Sequence, residues 1–171
     1  MLFRYRAKIT ISSKAQNQLN TKFLGFGCQL KYAPYLRLSP KKNCMDSLLI
    51  ESGTNTPMLH FSPDSGILVF RGKSIPENTL KFYSPVKAWI AEYLQQPAPE
   101  TVLDVYLEYF NTSSAKMLIE LFKQVQDAHL AGRTAMRMVW RYETADLDML
   151  EAGEDMKNLL KAEVELVAVD E

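Results

Sequence analysis

Four consecutive small polar residues, Asn111-Thr112-Ser113-Ser114, hold the densest set of hydroxyl and amide groups that chemistry could use in this sequence. Each of the four is a residue type that caps helices. They also fall where the hydrophobic period changes. Before them, Leu103, Val105, Leu107 and Tyr109 alternate with Asp104, Tyr106 and Glu108, the period of a strand with one buried face. After them, Met117, Leu118, Leu121, Phe122, Val125 and Ala128 recur at helical spacing. The pattern predicts strand 102–110 running into helix 114–130, with Gly132 as the residue just past the helix end. At a helix start the first N–H groups lack partners and the dipole favours negative charge. Such a turn can cap the helix, bind an anion or carry a covalent phosphate, and capping is the commonest of the three roles.

Other groupings point to chemistry less well. His60 and His129 are the two histidines, one on an expected strand and one late in an expected helix. A Ser113–His129 dyad would need a geometry that the sequence does not imply. No Gly-x-Ser-x-Gly elbow, His-Glu-x-x-His motif or glycine-rich phosphate loop occurs. Asp146, Asp148, Glu151, Glu154 and Asp155 spread round a helix instead of following a calcium-loop pattern, which suits a solvated acidic face. A small hydrolase or transferase using an acidic or hydroxyl site is the enzymatic alternative. No metal or cofactor is expected.

The elements that must position these groups lie in a chain of 171 residues, long enough for one domain with an appendage. A net charge of zero conceals a division. Residues 1–44 contain nine of the twenty basic residues and none of the twenty acidic ones. That segment can be read as a transit peptide, as a basic arm for nucleic acid, or as an extension outside the domain. The last reading is preferred, with the domain at 45–171, a start at Met45 and no nucleic-acid partner. Phe3 to Ile11 alternates like a strand, whereas Pro34, Pro40 and Lys41-Lys42-Asn43 resemble a linker. Cys28 and Cys44 imply neither a disulfide framework nor a metal site. No run of about 18 apolar residues is present, so no membrane span is expected.

From Met45 the expected order is β-ββ-α-β-α-β-α-β. Leu48 to Ile50 is a short strand, and segments 57–61 and 67–71 form a hairpin across Asp64-Ser65-Gly66. Ser84-Pro85 is expected to start a helix, with Pro76 and Glu77 at most opening a short turn before it. Val86, Trp89, Ile90, Tyr93 and Leu94 form that helix's inner face. Thr134 to Tyr142 is a strand, 145–160 a helix with Leu147, Leu150, Met156 and Leu159 inside, and Val164 to Val169 a last strand. Gly153 is the weak point of that last helix, costing about 1 kcal/mol relative to Ala. Alternation of strand and helix implies a single α/β sandwich, a mixed sheet with about three main helices mainly on one face.

Several stretches give this pattern a relative. Pro76-Glu-Asn78, Phe82-Tyr83, Glu92-Tyr93-Leu94, Leu107-Glu-Tyr-Phe-Asn-Thr-Ser-Ser114, Trp140 with Tyr142, and Asp148-Met-Leu-Glu151 resemble the SiaC family of bacterial biofilm-regulating phosphoproteins. The resemblance covers residues 45–171, and its Glu-Tyr-Phe-Asn-Thr-Ser-Ser run is the most specific part. The family is similar in layout to the STAS anti-sigma-factor antagonists, which are phosphorylated at a helix start. By position, the resemblance implies Thr112 as the phosphorylated residue. It also implies a Ser/Thr protein kinase of the histidine-kinase-like ATPase type and a metal-dependent Ser/Thr phosphatase. The unphosphorylated form would bind a diguanylate cyclase and promote cyclic di-GMP synthesis and biofilm formation. The expectation is therefore a non-catalytic, cytoplasmic signalling protein switched at Thr112, its hydroxyl facing solvent at one edge of the sheet.

Overall fold

A computed structural model describes residues 45–170. The expectations for residues 1–44, including the strand at Phe3 to Ile11, lie outside the described residues. Six strands form one sheet in sequence order: β1 (Leu48–Ile50), β2 (Met58–Ser62), β3 (Ile67–Ser74), β4 (Glu100–Phe110), β5 (Ala135–Glu143) and β6 (Glu163–Val169). The first three pair antiparallel, and β3 to β6 are parallel neighbours. Helices α1 (Thr79–Tyr93), α2 (Thr112–Leu130) and α3 (Leu147–Leu159) make the three crossovers. Parallel crossovers are almost always right-handed, so three steps in one direction put all three helices on the same face. The expected mixed α/β sandwich is the observed architecture.

Burial follows that geometry. Leu59, Phe61, Leu68, Phe70, Leu103, Val105, Met138 and Trp140 point inward, alternate along their strands and join one core with Tyr83, Ile90, Leu121, Phe122 and Met156. The opposite face of the sheet carries charges. Asp104 takes Arg141 at 2.8 Å and Arg71 at 3.9 Å, and Arg137 lies 3.5 Å from both Glu100 and Glu165. The hairpin closes through Gly66 at φ 71°, where a Cβ would come within 2.1 Å of the Glu100 carbonyl oxygen. Gly132 has φ 71° just past α2, as expected from the sequence.

Four details differ from the sequence reading. Helix α1 starts at Thr79, capped by Asn78, whose Oδ1 accepts the Lys81 N–H at 2.9 Å. Pro85 therefore lies inside the helix, not at its first position. The preceding turn is retained because Tyr83 is buried and its hydroxyl bonds Ser74 Oγ at 2.7 Å. In α3 the buried residues are Met149, Gly153 and Met156, while Leu147 is 70% exposed and Leu159 is also exposed. The start at Asp146, which accepts the Met149 N–H, sets that rotation. Helix α2 begins at Thr112, two residues before the expected 114.

The fourth detail concerns register. Gly72 pairs with Leu107, but Lys73 pairs with Tyr109, so β4 holds one extra residue there. Such a bulge flips the inward–outward alternation. Tyr109, expected inside, is 53% exposed, and Phe110 turns inward to meet Trp140 edge-on at 6.2 Å.

Gly153 has a role that helix propensity hides. A Cβ there would lie 2.6 Å from Trp140 Cδ1 and 2.8 Å from Leu166 Cδ2. Trp140 is almost fully buried and its Nε1 donates to the Met149 carbonyl at 2.9 Å, so it cannot easily yield. Gly153→Ala should therefore destabilise by about 1–3 kcal/mol in urea unfolding, from overpacking. Propensity alone predicts a gain of about 1 kcal/mol, so the sign of the change decides between the two effects.

Candidate functional site

Of the four polar residues, Asn111 is the one that caps. Its φ of −86° and ψ of 169° are extended, and its Oδ1 accepts the Ser114 N–H at 2.8 Å. Its carbonyl accepts the Ala115 N–H at 2.9 Å. Thr112 and Ser113 are then the first two helical residues, both exposed. Among the described residues their N–H groups have no recorded acceptor, as helix starts require. Ser114 is fully buried, and its Oγ has no hydrogen-bond partner. The turn thus sorts three hydroxyls that look alike in the sequence into two that a large reagent can reach and one that it cannot.

The position of the cap is fixed from below. The Asn111 N–H donates to the Ser74 carbonyl at 3.2 Å, and Ser74 Oγ bonds the Tyr83 hydroxyl. Burial pushes the Tyr83 phenol up to about 12, against the smaller opposing effect of the Ser74 bond. This pair ties the ends of β3 and β4 to α1 through groups that stay neutral. Beside it, the bulge turns Phe110 into the core and leaves Asn111 at the surface end of the strand.

Thr112 stands between two depressions. Ala115 and Ile119, three and seven residues further along the helix, line a groove of about 480 Å³ between α2 and α3, with Phe110, Ala152, Met156 and Leu159. Ser113 and Lys116 line a second, of about 400 Å³, with Glu77, Asn78, Thr79 and Leu80 from the start of α1. At 100° per residue Thr112 falls between these two sets. The expected edge position needs correcting. Thr112 lies at the carboxyl end of β4, an interior strand between β3 and β5, not at a lateral edge.

The enzymatic constellations do not assemble. Ser113 and His129 lie near opposite ends of α2, about 24 Å apart at 1.5 Å per residue. His129 Nδ1 instead lies 3.3 Å from both the Met136 N–H nitrogen and the Thr134 carbonyl oxygen. His60 is an exposed strand residue. Asp146 caps α3, and among the described residues no group of three or more His, Cys, Asp or Glu side chains could hold a metal ion. No helix among them is long and apolar enough to cross a membrane.

This two-layered α/β domain has its counterpart among regulatory phosphoproteins. Residues 50–169 match the family described as SiaC family regulatory phosphoprotein. The chain belongs to this SiaC family. It is 28% identical over 113 residues to an uncharacterized protein of Pseudomonas aeruginosa strain UCBPP-PA14, covering 66% of this chain and 89% of the relative. The crystal structure of apo-SiaC from Pseudomonas aeruginosa superposes with a TM-score of 0.67 at 27% identity, covering 72% of this chain and all of that one. SiaC from the same organism, solved as the activator in complex with the diguanylate cyclase SiaD, gives a TM-score of 0.67 at 26% identity, covering 71% and 99%.

The cap gives a direct test. Asn111→Ala should cost about 1 kcal/mol in denaturant unfolding, because it removes the acceptor for the Ser114 N–H. Asn111→Asp should keep or exceed the parent stability, since an anion at this helix end is favoured. Equal stability of the Ala variant would show that the side-chain bond does not hold the start of α2.

Proposed function

We propose that this protein is a non-catalytic signalling component that binds and activates a diguanylate cyclase, and that phosphorylation of Thr112 switches it off. The observation that carries the reading is the sorting of hydroxyls at the start of α2. Thr112 is exposed beside free backbone N–H groups, whereas Ser114 is buried. A kinase of the histidine-kinase-like ATPase type would transfer the γ-phosphoryl group of ATP to Thr112 Oγ1, releasing ADP and a proton. A metal-dependent Ser/Thr phosphatase would hydrolyse it. Family membership and the relative solved with SiaD support a cyclase as the partner. Promotion of cyclic di-GMP synthesis and biofilm formation in the cytoplasm is the setting that this reading implies.

The switch is local in this account. A phosphothreonine adds about −1.5 to −2 charges, which a helix N-terminus accommodates without unfolding the domain. A cyclase docked over the end of β4 would have to desolvate that charge without supplying a cation of its own to match it. The cost of several kcal/mol is enough to abolish micromolar binding. Because Asn111 and not Thr112 forms the cap, replacing Thr112 leaves the helix start intact.

The test is peptide mapping after incubation with the cognate kinase and ATP, followed by binding to the cyclase. Phosphate should appear on Thr112, with Ser113 secondary or silent. Thr112→Ala should still bind and activate the cyclase, phospho-Thr112 should not, and Thr112→Asp should be partly impaired. Undiminished phosphate incorporation into Thr112→Ala, or cyclase binding unaffected by stoichiometric phosphate, would overturn the assignment.

The domain in this proposal is 45–171, with residues 1–44 outside it. Met45 packs against the core, and the Asp46 carbonyl accepts the Trp89 Nε1–H at 2.9 Å, so the described chain is anchored from its first residues. A chain beginning at Met45 should keep its thermal midpoint within a few degrees of the full chain. A fall of tens of degrees, worth several kcal/mol at this size, would place part of 1–44 in the folded unit.

A further inference from the structure

The placing of Thr112 between two grooves raises the question of which way its phosphate would turn, and the answer rests on the reading of Thr112 as a phosphorylated residue. Lys116 is four residues further along α2, exposed, and forms no ion pair among the described residues. An acid four residues before a base is the favourable order for a helical ion pair, since it also follows the dipole. Lys116 belongs to the groove on the α1 side, where the other charged side chain is Glu77. The groove on the α3 side offers Asp155 and no cation.

We propose that Lys116 holds the phosphate of phospho-Thr112, drawing it over the α1-side groove and away from the apolar groove between α2 and α3. Lys116 is then a positioning residue for the modified state. In the unmodified protein this groove presents a free ammonium beside Ser113. In the modified protein that ammonium is matched, and roughly one negative charge remains, from a phosphate of about −1.5 to −2. A partner that tells the two states apart does so on the α1 side, by a reversal of charge at one spot.

The experiment uses the full chain with phosphothreonine installed at position 112 through a reassigned stop codon, so no kinase is needed. Phosphorus NMR follows the second phosphate ionisation, which lies near pH ~6 for a free phosphothreonine. A neighbouring cation favours the dianion, so Lys116→Gln should raise that pKa by about 0.3, the size expected of an i,i+4 pair. Lys116→Arg should keep the parent value within about 0.1, and Lys123→Gln, about two turns beyond Lys116, should leave it unchanged. If Lys116→Gln titrates like the parent, Lys116 does not hold the phosphate and the proposal is overturned. That outcome is independent of the kinase test. Failure of the kinase to modify Thr112 would overturn the functional reading and leave the Lys116 titration as it was.

Discussion

Three crossovers that all advance in one direction are the constraint on which the rest of this structure depends. With crossovers of the usual right hand the helices share one face, and each begins at the carboxyl end of a parallel strand. The first turns of α1, α2 and α3 therefore occupy the same end of the domain. They are capped by Asn78, Asn111 and Asp146, each accepting the N–H three residues on. The positive ends of three helix dipoles gather there, and the exposed hydroxyl of Thr112 lies among them. Among the described residues no helix covers the other face of the sheet. Asp104 with Arg71 and Arg141, and Arg137 with Glu100 and Glu165, pair across it, and such ion pairs individually add little stability.

Within that arrangement, neutral hydrogen bonds set the fine position of the functional turn. Ser74 uses its hydroxyl for Tyr83 and its carbonyl for Asn111, so a single residue at the end of β3 fixes both α1 and the entry to α2. Keeping this anchor uncharged suits a place where charge is to be added and removed. A titrating anchor would couple the cap to pH, whereas the Tyr83 phenol, raised by burial, keeps its proton far above neutrality.

Much of this was legible in the sequence. Alternation in Leu103, Val105 and Leu107 marked the central strand, helical spacing from Met117 to Ala128 marked α2, and the polar run between them marked the turn. What was missed depends on partners distant in the chain. Pro85 is an ordinary start signal, but the helix begins six residues earlier, where Asn78 caps it and the bond between Tyr83 and Ser74 holds the added turn. The leucines of α3 outrank its methionines in hydrophobicity, yet the rotation set at Asp146 buries Met149 and Met156. Gly153 reads as a weakness until Trp140 is seen against it. A cap could have been assigned to Asn111 from the preference of Asn for that role, but four adjacent capping residues left the sequence without a unique choice.

The extra residue in β4 has a consequence for how this segment can vary over evolutionary time. Side chains at Glu108 and Tyr109 are exposed, so many substitutions there would leave the packing undisturbed. Deleting one of the two is tolerated for the same reason. With one position fewer, Leu107 and Phe110 stand two apart, the regular period of a strand, so Phe110 still faces inward opposite Ser74. At this bend the fold fixes which side chains enter the core and leaves the segment between them free to lose a residue as well as to exchange its letters.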